Sequence, residues 1–65
     1  MNEPLKEGDR IKLVSMPNEP RPIKVGTKGT VIHVGRTPYE TQYNMDWDNG
    51  RTLSLLEGVD SWKKI

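Results

Sequence analysis

The chain contains no cysteine and a single histidine, His33. Disulfide frameworks and Cys/His zinc sites are thereby excluded, although small domains often lean on them. It also lacks any apolar run near the ~20 residues that cross a bilayer. The N-terminus "MNEPLKEGDR" has no basic-then-apolar layout of a secretory signal. These two absences set the expectation of a soluble, cytoplasmic protein with no membrane contact. Nor is there a strong excess of one charge. Ten basic and nine acidic side chains leave a formal net charge of +1, short of the surplus expected of a dedicated nucleic-acid binder.

What is present points to strands. A chain of 65 residues makes one small domain that buries roughly 60% of its unfolded surface. Such a fold depends on a compact apolar core and well-made turns. No helix-length window carries apolar residues at i, i+3, i+4 and i+7, whereas period-two segments bounded by turn residues recur. "GDRIKLVSM" puts Ile11 and Leu13 on one face of a first strand. "PNEPRPIKVG", with Pro17, Pro20 and Pro22, reads as a long irregular connection, because proline cannot donate to a ladder. "GTKGTVIHVG" supplies a β-branched second strand. In "TQYNMDWD" Tyr43, Met45 and Trp47 alternate with Gln42, Asn44, Asp46 and Asp48, the cleanest period-two run in the chain. "RTLSL" alternates again, "LEGVDSW" fits one 3₁₀ turn, and "SWKKI" closes the chain.

The fold class expected is therefore all-β: an SH3-like small barrel of five short strands. It has a long loop after the first strand and a 3₁₀ turn before the last. Residues 1–7 are expected to form a flexible lead-in and residues 8–65 the barrel domain. The expected core is Ile11, Leu13, Val25, Val31, Val34, Met45, Trp47, Leu53, Leu55, Val59 and Ile65. An OB-fold ranks second because it usually needs a longer chain.

The acidic cluster in "YNMDWDNGRTL" invites two chemical readings, and both fail. Counted as a calcium loop from Asn44, oxygen ligands fall at positions 1, 3 and 5. Position 6 is then Asn49 rather than glycine, and position 12 is Leu55 rather than glutamate,. As a catalytic pair, Asp46 and Asp48 share one face of one strand, with nothing to separate their protonation. The stretch reads instead as a hairpin, with Asn49-Gly50 in a type I′ turn and Asp48 and Arg51 placed to pair across it. No enzyme activity, metal or cofactor is expected.

His33 reads as an ordinary residue on an outer strand face. "PNEP" has P-x-x-P spacing, but inside a loop it serves to stiffen the connection. "VGTKGTVIHV" has the spacing of a KOW-type turn and strand, and it does not match a phosphate loop.

Taken together, "GDRIKLVSMPNEPRPIKVGTKGTVIHV" and "MDWDNGRTLSLLEGVDSWKKI" resemble a family of small bacterial and phage domains of unknown function. The shared pattern is G-D-R-I-x-L-x-x-M, a proline-rich loop, G-T-x-G-T-V and W-D-N-G-R-x-L-x-L. The resemblance runs from Gly8 to Ile65. It implies short products of phages, plasmids and integrative elements of Gram-positive bacteria, and it implies no activity. "WDNG" is also similar to SH3-like modules of ubiquitin ligases that bind partner peptides, where the hairpin is scaffold.

Two functions are carried forward. The first is a non-enzymatic binding or adaptor module for a protein partner, contacting it beside the long loop with Met16, Pro20, Arg21, Pro22 and Ile23. Tyr39 and Trp62 would be its aromatic anchors, since Tyr, Trp and Arg are enriched at hot spots. Trp62 also reads as a plug for the barrel end. The rival is nucleic-acid binding through Arg10, Lys12, Arg21, Lys24, Lys28 and Arg36, with Tyr39 stacking. Seven of the ten Lys and Arg residues lie at or before Arg36, which permits a basic patch built mainly by the first half, although a mixed solvated surface is the preferred reading.

Overall fold

The computed structural model describes residues 4–65. Five strands follow in order: β1 (Arg10–Ser15), β2 (Lys28–Arg36), β3 (Thr41–Trp47), β4 (Leu55–Leu56) and β5 (Ser61–Lys64). They form one antiparallel sheet in the order β4-β3-β2-β1-β5. The all-β expectation holds. The sheet stays open, with β4 and β5 as its two edges. One edge is only two residues long and the other carries Lys63 and Lys64, both devices that discourage further strand pairing.

The β2–β3 hairpin carries the longest pairing, and its register explains the core. Gly29, Val31 and Val34 stand opposite Trp47, Met45 and Tyr43. The step from Val31 to Val34 breaks period two, and a bulge between Val31 and His33 absorbs it,. Ile32 and His33 both turn outward as a result. Gly29 is required by contact: a Cβ there would lie 2.7 Å from Trp47 Cε3. The glycine thus makes room for the indole ring.

The buried core is Leu5, Ile11, Leu13, Met16, Ile23, Val31, Tyr43, Met45, Trp47, Leu55 and Trp62. Val34 and Leu53 pack against it, and Val59 is half-buried. Val25 and Ile65 are corrections, for both are exposed. Val25 precedes the left-handed Gly26 in the turn before β2, and Ile65 lies beyond the last strand.

Residues 1–3 of the expected lead-in lie outside the described residues. From Leu5 onward the segment is part of the domain. Leu5 is buried, and its N–H donates to Tyr43 Oη at 3.3 Å. Gly8 N–H donates to the Val31 carbonyl at 2.8 Å, so pairing with β2 starts before β1.

Two local expectations are also revised. The 47–51 hairpin is not type I′, because among the described residues only glycines have positive φ. Gly50 N–H donates to the Trp47 carbonyl and Trp47 N–H to the Arg51 carbonyl. Gly50 is left-handed at φ 87°, the pattern of a three-residue loop closed by a glycine bulge. Asn49 uses its side chain instead, accepting Arg51 N–H at 3.0 Å.

The fourth strand is shorter than the alternation implied, since the Trp47 indole N–H takes the Leu53 carbonyl at 2.7 Å. The segment before β5 is a hydrogen-bonded turn, as expected. Val59 and Asp60 N–H both donate to the Leu56 carbonyl, around a left-handed Gly58.

Candidate functional site

The proline-rich loop is ordered from beneath. Met16 and Ile23 are buried, and Ile23 N–H donates to Met16 Sδ at 3.4 Å. This clamp presents residues 17–22, of which only Glu19 is half-buried. Arg51 Nη1 donates to the Pro22 carbonyl at 3.2 Å, tying the loop to the β3–β4 hairpin. Arg51 therefore does not pair with Asp48.

Beside this loop lies a shallow groove lined by Met16, Asn18, Glu19, Ser54, Leu56, Val59 and Asp60. Its cavity of about 50 Å³ is far below the ~300 Å³ at which small-molecule pockets begin. Its shape suits a surface contact. Asp60 is buried and holds the groove wall, its Oδ2 accepting Leu56 N–H at 2.9 Å.

Next to the groove, Glu57 accepts from the Tyr43 hydroxyl at 3.2 Å. Burial first, then the Glu57 carboxylate, raises the Tyr43 pKa above its ordinary value. The Tyr43 ring meets Trp62 edge-on, with centroids 5.5 Å apart at 79°.

The four residues expected to bind a protein partner separate. Arg21 is exposed on the loop, and Tyr39 is 95% exposed in the β2–β3 connection. That connection is tight, with Thr37 Oγ1 accepting from Tyr39 and Glu40 N–H. Ile23 and Trp62 are corrections: at 1% and 4% exposure they belong to the core. Ile23 shapes the loop from below. Trp62 packs edge-on against Tyr43.

The basic set separates as well. Arg10 is engaged by Asp48, its two terminal nitrogens donating to the two carboxylate oxygens at 2.7 and 2.8 Å. These hydrogen bonds push the Asp48 pKa down and the Arg10 pKa up. Lys24 sits on the turn before β2. Arg36 ends β2, roughly 25 Å along the strand from Lys28.

Lys12 and Lys28 stand directly opposite each other. Lys63, on β5, stands opposite Lys12 on its other side. Sequence reasoning missed Lys63. Period two in "SWKK" places it opposite in phase to Trp62, but its neighbours follow only from the strand order.

Asp46 and Asp48 are both exposed, and Asp48 has its oxygens on Arg10. Among the described residues no group of three or more His, Cys, Asp or Glu is placed to hold a metal ion. His33 lies on the outer face, with Nδ1 3.7 Å from Glu7 Oε1. Among the same residues no helix is long and apolar enough to cross a membrane.

Comparison with known proteins gives a family. Residues 1–65 match the family described as a domain of unknown function, DUF4314. The chain belongs to DUF4314. The expectation of a small domain of unknown function is thus met. No curated protein and no solved structure matches the chain. Within this DUF4314 domain the G-D-R-I, G-T-x-G-T-V and W-D-N-G-R segments supply scaffold residues: Ile11 in the core, Gly29 under Trp47, and Gly50 closing the hairpin.

Proposed function

We propose that this chain is a non-enzymatic binding module of SH3-like architecture whose partner is a protein segment. The strand order β4-β3-β2-β1-β5, the long loop after β1 and the short turn between β4 and β5 support the SH3-like reading. The observation that carries the binding role is the clamped loop beside the groove. Residues 17–22 are held out by the buried Met16–Ile23 contact, and the groove they border exposes part of Leu56 and Val59 beside Glu19. An ordered, largely exposed loop over a shallow, partly apolar cleft suits an extended peptide, because little further ordering is needed on binding. A cytoplasmic setting on a phage or mobile element is part of the same proposal.

The test is selection of peptides from a random display library on the immobilised domain, followed by amide shift mapping. A consensus peptide should move residues 16–19 and 54–60. It should lose binding to Asn18→Trp and to Glu19→Lys, with their melting temperatures unchanged. Enrichment of no consensus, or shifts confined to other surfaces, would sink the reading.

A further inference from the structure

Lys63, Lys12 and Lys28 form a row across β5, β1 and β2, each directly opposite the next, and all three are exposed. Directly opposed side chains in antiparallel strands have Cβ atoms about 5 Å apart, and like charges there destabilise the pairing. Among the described residues no ion pair engages any of the three. Asp48 is close enough to Lys28 to feel its charge, yet both its oxygens accept from Arg10.

Edge protection accounts for only part of the row. Lysine on an edge strand blocks further pairing, and β5 is an edge. Strands β1 and β2 are interior, so Lys12 and Lys28 need another reason.

We propose that the row binds the phosphodiester backbone of double-stranded nucleic acid, without regard to sequence. Strands lie about 4.8 Å apart, so three ammonium groups in line span roughly 10 Å, a geometry suited to a linear polyanion. Lysine meets phosphate as a compact point charge. No aromatic side chain stands in the row, and single-strand binders rely on stacking; Tyr39 lies beyond the far end of β2. Anionic membranes are held by clusters of about four to eight basic residues, more than the row supplies. This site is separate from the peptide groove and does not depend on it.

The experiment is fluorescence anisotropy of a labelled duplex of about 20 base pairs, titrated at several salt concentrations. Wild-type protein should bind at low salt, with a log–log salt slope of about −2.7 for three phosphates. Lys12→Gln should flatten that slope by about 0.9. The triple Lys12→Gln, Lys28→Gln, Lys63→Gln variant should not bind, while Arg36→Gln should match wild type.

Absence of wild-type binding at low salt would overturn the proposal, as would binding retained by the triple variant. Binding to phosphatidylserine vesicles or polyglutamate in place of duplex would overturn it too. Lysine side-chain shifts on titrating wild type with duplex give a reading that needs no variant: movement confined to these three supports the row, and movement elsewhere overturns it. A groove-selected peptide should bind the triple variant as it binds wild type, so the two proposals fail separately.

Discussion

Alternate residues of β1 and β2 face opposite ways, and the two sets obey different physics. Inward, Ile11, Leu13, Gly29 and Val31 meet Met45, Trp47 and Trp62 in one apolar cluster with Gly29 lying under Trp47. Outward, Lys12 stands between Lys28 and Lys63, while Arg10 reaches past Thr30 to Asp48. Packing decides the inner face, where shape matters and salt does not. The outer face is decided by charge in water, where each contact is weak and screened. The inner face should therefore govern whether the chain folds, and the outer face what it meets once folded.

The largest break in that contrast is Trp47→Ala. Removing a buried aromatic ring costs about 3–5 kcal/mol. That is most of what one small core supplies. The variant should be unfolded by circular dichroism at 25 °C and show no cooperative transition on heating. A well-defined melting curve within a few degrees of wild type would show that the core does not depend on this ring.

Gly29→Ala is the next largest. Its added methyl would lie 2.7 Å from Cε3 and 3.1 Å from Cδ2 of a ring that is itself 1% exposed. Overpacking of this kind costs about 1–3 kcal/mol. The unfolding free energy from chemical denaturation should fall by that amount, and a neutral outcome would mean that the β2–β3 pair can separate locally.

The inner face was legible in the sequence where alternation was regular. Tyr43, Met45 and Trp47 could be placed inward from spacing alone, and so could Ile11 and Leu13. Legibility failed where the chain is irregular. Leu5, Met16 and Ile23 are buried from a polar lead-in and a proline-rich loop, where no period exists to mark a face. Val25 sits in an equally irregular stretch and fell on the wrong side for the same reason. On the outer face the individual lysines were visible, but the row was not. Opposition of Lys63 to Lys12 depends on β5 returning to pair with β1, a long-range contact without a local signal. The Arg10–Asp48 pair, 38 residues apart in sequence, was hidden for the same reason, and the local partner Arg51 was the wrong one.

Asp48→Asn probes the outer face by pH. Hydrogen bonds from Arg10 hold the Asp48 pKa below its ordinary 3.8. A depressed folded value means that the pair's contribution is fully present above the unfolded pKa. It is lost as pH falls through the folded one. Asp9 behaves alike, chiefly through Lys6 N–H. Wild-type melting temperature should therefore fall on acidification below 3.8 more steeply than that of Asp48→Asn, which keeps only the Asp9 part. Parallel curves for the two proteins would remove the ion pair from any role in stability.

Lys12→Gln carries the smallest expected effect and the opposite sign. Lys12 is the middle of the row, opposed on both sides by like charge, so neutralising it removes two repulsions at once. Exposed substitutions stay within about ±0.5 kcal/mol, and here the change should be a gain. Its origin in repulsion makes it testable by salt: the rise in melting temperature should be measurable in dilute buffer and shrink toward zero at ~1 M, where the Debye length falls to about 3 Å. A substitution that stabilises the fold while weakening duplex binding would mean that the row is kept for contact at a small cost in stability. A loss of stability, unchanged by salt, would mean instead that the Lys12 side chain supports the sheet through its aliphatic stem.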